Sequence, residues 1–374
     1  MALISAIFCV CKLVNRYTTG YSSGLLNNTS SLLMKLFLPL FILATSTYSF
    51  VATSQSIESE FDKFDAIYQV QLGTTSGCQS PELNVFKVCS ENLKNDGNAP
   101  YILHHAKATK KVVVLFHGLS DSPFFLRSIA QSIHQQGNNV VVALVPGHGK
   151  KQADEDMQDA GLADRWRGHV SEIMDFSSSL GEQVYVGGFS TGGVLATEYI
   201  LQNPQAVKGL MLFSGALALD SSVESLAKVW GIQWLAKILD GEYKTQGPNQ
   251  FKYPSVARFA AFELTEVIFS VRELIEQGAT LNLPIFAAHS MADKTTPIEG
   301  VKNLMAVNKG PNTLFEISED LDVCHADVVV NEKQISDMQY DTSMLEEIMP
   351  CDVPKANPKH AEMLVSLRQF LTAH

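Results

Sequence analysis

The sequence predicts an α/β fold in which helices cover both faces of a mostly parallel central sheet and a helical cap is inserted late in the chain. Apolar runs typical of buried strands lie at 112–116, 183–187 and 207–213. The second of these runs leads through a short turn into a helix-compatible run at 194–202. Continuous apolar strands that alternate with helices are typical of a parallel sheet covered on both faces.

The first 54 residues are expected to be an N-terminal extension with a secretory signal peptide. Met34 and Lys35 precede an apolar run of about nine residues, 36–44, and small polar residues follow. This run is too short to span a bilayer at about 1.5 Å per residue. We therefore expect Met34 to be the true start, cleavage between Ala44 and Ser54, and no stable membrane span afterwards. An uncleaved N-terminal anchor is the alternative.

A loop-rich N-terminal addition is predicted at 55–100, with a short helix at 62–71. An early strand at 101–105 then opens the main domain, which extends over 101–374. A chain of 374 residues with 46% hydrophobic and 18% charged residues can bury one large core. We therefore expect one main domain and not two independent ones.

The charge and the motif content exclude several classes of function. A net charge of −11 argues against binding to nucleic acid or to an anionic membrane. The sequence has no dinucleotide fingerprint and no P-loop, so no nucleotide cofactor is implied. The acidic cluster of Asp154, Glu155, Asp156 and Asp159 is not spaced like a calcium loop, and we expect a solvated loop there and no metal site.

The turn after the strand at 183–187 carries the sequence Gly-Phe-Ser-Thr-Gly, with Ser190 at its centre. A serine between a strand and a helix takes a strained backbone conformation, so small residues such as Gly188 and Gly192 must flank it. The N–H of Thr191, at the helix N-terminus, would face a developing oxyanion. This context predicts that Ser190 is the nucleophile of a serine hydrolase.

The strand at 112–116 leads directly into His117, Gly118 and Leu119. A glycine in this loop allows the backbone to approach a substrate, and the N–H of Leu119 is the predicted second oxyanion donor. His117 could serve as a base, but we expect it to hold the turn through hydrogen bonds.

Three motifs in a fixed order resemble the α/β-hydrolases, in particular the monoacylglycerol lipase and carboxylesterase branch. They are FHGLSDSPF at 116–124, VPGHG at 145–149 and GGFSTGG at 187–193. The resemblance covers the chain from about Tyr101 to its end. It implies an α/β-hydrolase catalytic domain at 101–374 in which the nucleophile is followed by an acid and then by a histidine.

The segment 283–297 resembles the acid loop of that family, with Asp293 after a buried strand. Asp293 would fix the tautomer of the catalytic histidine and stabilise its charged form. His325 follows it by 32 positions, enough for one helix, one strand and a loop. The competitor, His360, follows by 67 positions and is expected to be a surface or capping residue. His289 is expected to pack at the end of the acid strand.

The interval between the strand at 207–213 and the acid loop is about twice as long as a simple crossover requires. We expect its excess, about 217–281, to form the cap, with an apolar segment at 229–239 and a long helix at 256–277. An apolar cap over a serine suggests a bound acyl chain. The residues predicted to line the pocket are Trp230, Trp234 and Phe259.

Four cysteines remain when the first 54 residues, which contain Cys9 and Cys11, are set aside. Four cysteines allow three pairings, and we favour two that close local loops, Cys78 with Cys89 and Cys324 with Cys351. Two disulfides would indicate that the protein is exported, either by secretion or to the cell envelope. The alternative is a cytosolic enzyme with four free thiols.

The predicted function is hydrolysis of a small carboxylic ester, as in a carboxylesterase or a lipase acting on a monoacylglycerol or similar acyl ester. Ser190, His325 and Asp293 would act as nucleophile, base and orienting acid, without a cofactor. The same triad could serve a thioesterase, an acyltransferase or a peptidase. From a different class, the chain could be a binding protein on a hydrolase scaffold. The sequence does not indicate the oligomeric state.

Overall fold

The structure, a computed structural model, describes residues 57–78, 84–219, 224 and 241–374. The predicted signal peptide that starts at Met34 lies outside these ranges, as do the predicted pocket residues Trp230 and Trp234. The apolar segment 229–239 also lies outside these ranges, and the wider interval assigned to the cap, 217–281, is described only in part.

Nine strands in the described residues form one sheet with the order β1-β2-β3-β5-β4-β6-β7-β8-β9. The pairs β1–β2, β2–β3 and β3–β5 are antiparallel. All pairs from β5 through β4 to β9 are parallel. The strands are β1 (Ser76–Gly77), β2 (Val85–Cys89), β3 (Tyr101–Leu103), β4 (Thr109–Phe116), β5 (Asn139–Ala143), β6 (Gly181–Phe189), β7 (Gly209–Phe213), β8 (Ile285–Ser290) and β9 (Asn312–Ile317). The mostly parallel sheet predicted from the sequence is therefore confirmed.

Helices cover both faces of this sheet. The described helices are α1 (Glu58–Leu72), α2 (Arg127–His134), α3 (Asp154–Met157), α4 (Leu162–Ser177), α5 (Thr191–Gln202), α6 (Arg258–Glu276), α7 (Glu299–Val307), α8 (Glu332–Met338) and α9 (His360–Ala373). The cluster on one face includes α1, α4, α5, α6 and α7, whereas α2, α8 and α9 belong to the cluster on the other face.

Strand β4 shows why the sheet is covered on both sides. Val112, Val114 and Phe116 point into one hydrophobic cluster, and the intervening Val113 and Leu115 point into the other. Successive side chains of a strand alternate between faces, so a continuous apolar run can only lie between two apolar layers. The strand begins at Thr109, three residues before the apolar run. The apolar pattern did not reveal these first three residues because they are polar and not fully buried.

The N-terminal addition is more ordered than its composition suggested. Helix α1 is longer than the predicted 62–71 and buries Phe64, Tyr68 and Leu72 completely. The hydroxyl of Tyr68 accepts a hydrogen bond from the N–H of Leu144, at 3.1 Å. Helix α1 therefore forms part of the layer that covers the sheet.

Two expectations about polar residues are wrong. The acidic cluster does not lie in a solvated loop, because it includes helix α3, and the buried carboxylate of Asp156 pairs with Lys150 and Arg165 at 2.6 and 2.7 Å. His360 is not a surface residue: it is buried at the start of α9, with Nε2 lying 3.0 Å from the hydroxyl of Ser128. Both side chains are buried by partners that a one-dimensional pattern does not reveal.

The four cysteines that follow residue 54 form the two favoured pairs. The sulfur atoms of Cys78 and Cys89 are 2.05 Å apart, and those of Cys324 and Cys351 are 1.97 Å apart. The second pair joins the residue before His325 to Cys351, within the long segment between α8 and α9. Within the described residues, every helix is too short or too polar to cross a membrane.

Glu263 makes the packing of α6 sensitive to pH. Its side chain is buried against the N-terminal end of α4, where it accepts a hydrogen bond from the N–H of Ala163 at 3.2 Å. Burial raises its pKa from 4.5 to about 7, further raised by Glu266, Asp159 and Asp164, although the Ala163 N–H lowers it. The folded state thus holds this proton more tightly than the unfolded state. Stability should fall as pH rises from about 4.5 to 7.

We expect Glu263→Gln to remove this loss of stability at high pH. The variant should exceed the wild type in free energy of unfolding by about 2 to 3 kcal/mol at pH 8 and by much less at pH 4.5. Urea unfolding at the two pH values measures the difference. Glu276→Gln, at the exposed end of the same helix, is the control. Equal unfolding midpoints for wild type and Glu263→Gln at pH 8 would contradict the assignment.

Candidate active site

Ser190 lies between the end of β6 and the start of α5, in a strained backbone conformation with φ +50° and ψ −115°. The turn has no room for side chains on either side. A Cβ on Gly192 would lie 2.0 Å from the carbonyl oxygen of Phe116, and one on Gly188 would lie 2.5 Å from the same oxygen. Glycine is therefore required at both positions, and the turn lifts the serine hydroxyl above the carboxyl end of the sheet.

The structure brings Ser190, His325 and Asp293 together from three separate loops. The Ser190 Oγ lies 2.9 Å from His325 Nε2, and His325 Nδ1 lies 2.6 Å from Asp293 Oδ2. His325 is partly exposed, whereas Asp293 and Ser190 are buried. His360, the competitor from the sequence, instead contacts Ser128. The arrangement can pass a proton from the serine hydroxyl to an imidazole that a carboxylate orients.

The loop after β8 fixes the Asp293 carboxylate by several hydrogen bonds. Its Oδ1 accepts from the N–H groups of Thr295 and Thr296 at 2.9 and 3.0 Å, and its Oδ2 accepts from the Thr296 hydroxyl at 3.0 Å. Burial alone would raise the pKa of Asp293, but the charge of His325 and the donated hydrogen bonds outweigh it and lower the pKa. The carboxylate is therefore ionised and can hold Nδ1 of His325.

His289 supports this loop from inside the sheet. It is fully buried at the end of β8, and its Nε2 lies 2.7 Å from the carbonyl oxygen of Thr296 and 3.5 Å from Asp293 Oδ2. Burial lowers its pKa, against the opposing effect of Asp293. A neutral imidazole here donates to Thr296, as the packed histidine predicted from the sequence would.

The two N–H groups predicted as oxyanion donors belong to Leu119, which follows β4, and to Thr191, the first residue of α5. In the described part of the chain, neither N–H donates to a protein acceptor. The Leu119 turn is closed by the Asp121 N–H, which donates to the Gly118 carbonyl at 3.2 Å, and Ser120 has φ +65°. Two free donors beside a serine can stabilise an oxyanion.

His117 lies behind this turn and does not contact Ser190. Its Nδ1 lies 2.9 Å from the Gly118 carbonyl, and its Nε2 accepts from the Val145 N–H at 3.0 Å. Burial lowers the pKa of His117 to about 4 and that of the neighbouring His148 to about 3. Both are therefore neutral at neutral pH. His117 links the turn to the loop after β5, and His148, which belongs to that loop, packs its ring against His117.

A cavity of about 720 Å³ opens above Ser190 and His325. Its charged members are Asp121, Lys252, Lys294 and, at an exposed position, Asp322. The large apolar side chains among its described lining residues are Leu119, Phe189, Leu219, Val256 and Leu264. A volume of this size can hold a small ligand with an apolar chain.

Phe259 does not line this cavity, although it is buried in α6. Ala261 and Leu264, three residues apart on the same helix, do line it. Two positions on a helix correspond to a rotation of about 200°, so Phe259 faces away from the side that Ala261 presents. The prediction for Phe259 was wrong because its helical phase could not be fixed from the sequence.

The loop before α9 supplies a wall that sequence reasoning did not place at the site. Pro350 and Cys351 line the cavity together with Cys324, to which Cys351 is bonded. The bridge tethers the loop that carries His325, and nothing in the spacing of the two cysteines indicated that Cys351 reaches the pocket.

A parallel sheet with a strained serine turn at its carboxyl end, and an acid and a histidine on later loops, defines an α/β-hydrolase. Comparison with known families agrees. The family described as serine aminopeptidase, S33, matches residues 107–320, which is more than half of the chain. The chain belongs to this α/β-hydrolase family. No curated protein matches its sequence.

Several solved structures are similar to this chain at low sequence identity. One, described with the metagenome-derived lipolytic enzymes LipS and LipT, is 18% identical and has a TM-score of 0.50 over 64% of this chain and 94% of that chain. Est1E from Butyrivibrio proteoclasticus with ferulic acid bound is 13% identical, with a TM-score of 0.47 over 73% and 94%. A monoacylglycerol lipase from Paleococcus ferrophilus is 18% identical, with a TM-score of 0.47 over 70% and 94%.

Proposed function

We propose that the protein is a serine hydrolase of small carboxylic esters, with Ser190, His325 and Asp293 as its catalytic triad. The observation that carries the proposal is the unbroken contact from the Ser190 hydroxyl through His325 to the Asp293 carboxylate, beneath a largely apolar cavity. A scaffold that only binds a ligand does not require a nucleophile, a base and an acid in this order.

In the proposed mechanism, His325 Nε2 removes the proton of Ser190 as Oγ attacks the ester carbonyl. Asp293 holds Nδ1–H and stabilises the imidazolium without taking its proton. The N–H groups of Leu119 and Thr191 bind the oxyanion of the tetrahedral intermediate. His325 then protonates the leaving alcohol, and a water molecule, activated in the same way, hydrolyses the acyl-enzyme.

The lining of the cavity favours an ester with an acyl chain as the substrate. Leu119, Phe189, Val256 and Leu264 offer apolar contacts near the nucleophile. A carboxylesterase or lipase acting on a monoacylglycerol or another single-chain ester fits this lining. Thioesterase and acyltransferase reactions would use the same triad with a different leaving group or acceptor.

The description of the family raises aminopeptidase activity as a second candidate. An aminopeptidase needs a negative group that binds the α-ammonium of its substrate. In the described lining of the cavity, the carboxylate of Asp121 is paired with Lys252 at 2.8 Å, and that of Asp322 is exposed. Asp121 is buried but already paired with an ammonium group, and Asp322 is not buried, so neither position offers an unpaired buried carboxylate and we favour the ester.

A panel of substrates tests the choice. p-Nitrophenyl esters of increasing chain length, a monoacylglycerol, an acyl thioester and an aminoacyl p-nitroanilide would be compared by kcat/KM, with Ser190→Ala as the blank. We expect the acyl esters to be turned over fastest and the anilide not above the blank. Faster hydrolysis of the anilide than of any ester would identify an aminopeptidase instead.

We also infer that the protein is exported, either by secretion or to the cell envelope. The two cysteine pairs at disulfide distance support this location, because disulfides persist in oxidising compartments. In denaturant without reductant, Cys78, Cys89, Cys324 and Cys351 should not react with a thiol reagent. Four reactive thiols at these positions in freshly isolated protein would contradict export.

A further inference from the structure

A buried carboxylate lies beside the turn that carries the Leu119 N–H. Asp121 is only 1% exposed and lines the cavity together with Leu119 and Ser190. Its Oδ1 lies 2.8 Å from the ammonium group of Lys252, whose side chain is about one-third exposed. Asp121 follows β4, whereas Lys252 belongs to the segment that leads to α6, so the pair joins two distant parts of the chain.

The carboxylate folds back over the turn itself. The N–H of Asp121 donates to the carbonyl of Gly118, and a Cβ on Gly118 would lie 2.9 Å from Asp121 Oδ2. The next residue of the lysine segment, Tyr253, donates its N–H to the carbonyl of Ser120 at 2.8 Å. The Lys252 ammonium and the Asp121 carboxylate are therefore both held against the turn that presents the proposed oxyanion donor.

Lys252 is the charge that offsets this carboxylate. In the described residues, no N–H or O–H makes a well-directed hydrogen bond to either oxygen of Asp121, and the ammonium of Lys252 approaches one oxygen obliquely. A negative charge without its partner would repel the negative charge that develops on the substrate oxygen. In a partly buried site such a repulsion acts strongly, because water screens it poorly.

We propose that Lys252 is a positioning residue for the oxyanion hole: its ammonium group neutralises the Asp121 carboxylate that lies against the Leu119 turn, so that this carboxylate does not oppose the developing oxyanion. The inference rests on the proposed function, because it concerns the stabilisation of an oxyanion at Ser190. It assigns to the segment before α6 a part in catalysis that is distinct from lining the cavity.

The sign of the charge separates this role from a purely structural one. Lys252→Met leaves an unpaired carboxylate beside the turn, whereas Asp121→Asn leaves an unpaired ammonium. A structural ion pair would be lost equally in both variants. The proposed role predicts that Lys252→Met is slow, that Asp121→Asn is much faster than Lys252→Met, and that the double variant Asp121→Asn/Lys252→Met recovers most of the loss.

The experiment measures the second-order rate constant for labelling of Ser190 by a fluorophosphonate, divided by the number of sites that are labelled when the reaction is complete. It also measures kcat and KM for an ester that the wild type hydrolyses. Because the rate is counted per titratable site, a variant that only loses folded protein shows no change. We expect Lys252→Met to lower the labelling rate and kcat by about tenfold to a hundredfold, with KM nearly unchanged. Lys252→Arg should retain most of the rate.

Lys302→Met is the matched control, because Lys302 pairs at 2.6 Å with Glu316 on an exposed part of α7 and β9 and does not line the cavity. It should label at the wild-type rate. If Lys252→Met does not fold, Lys252→Gln takes its place, because it also removes the cation and leaves the Asp121 carboxylate without a charged partner.

Equal rates for Lys252→Met and Asp121→Asn would overturn the inference, as would a change confined to KM, which would make Lys252 a binding residue for a substrate anion. These outcomes differ from failure of the proposed function. In that case, the wild type itself would not be labelled at Ser190.

Discussion

Ser190→Ala is expected to abolish nearly all ester hydrolysis, while the protein stays folded. The nucleophile is the one group of the triad whose oxygen forms a bond to the substrate, so its loss removes the acyl-enzyme route altogether. The loss in kcat should be about 10⁴-fold or more. The small rate enhancement that remains would come from the oxyanion donors alone. Initial rates on the best ester of the panel measure it, with circular dichroism as the check on folding.

Ser178→Ala is a suitable control, because Ser178 is exposed at the end of α4 and its hydroxyl donates to the nearby Asp175 carbonyl. Its turnover should equal that of the wild type. Ser190→Ala protein that retains a tenth or more of wild-type turnover would show that another residue is the nucleophile.

The second large effect is expected for Asp293→Asn, which keeps the shape of the side chain and removes its charge. An amide can donate to Nδ1 of His325 and so favour the tautomer with its proton on Nε2, the nitrogen that must accept the proton of Ser190. In addition, it cannot stabilise the imidazolium. We expect kcat to fall by about 10⁴-fold with little change in KM.

Steady-state kinetics on the same ester check this result, and Asp164→Asn, at an exposed position of α4 paired with Arg167, serves as the control. A loss of less than about tenfold for Asp293→Asn would mean that the contact of 2.6 Å between Asp293 and His325 does not direct the proton transfer.

The elements that depend on neighbouring residues could be predicted from the sequence. The apolar run of β4 and the glycines around Ser190 act over a few positions, so the strand and the turn were visible as a pattern. The order nucleophile, acid and histidine came from the resemblance, since nothing local links Asp293 to His325. The structure places these two side chains in contact.

Features that depend on tertiary packing could not be predicted. The partners of Asp156, the burial of His360 and the rotation of α6 that turns Phe259 away are set by segments far apart in the chain. The same holds for the pairing of Asp121 with Lys252, which are 131 positions apart and show no shared pattern. Charge complementarity across such a distance is visible only once the chain is folded.

The most direct test of the account is labelling of the purified wild-type protein with a fluorophosphonate, followed by identification of the modified peptide by mass spectrometry. We expect a single modified residue, Ser190, and no labelling of Ser190→Ala or of protein unfolded before the reagent is added. Folded wild-type protein that is not labelled, or is labelled elsewhere, would contradict the assignment of Ser190 as an activated nucleophile.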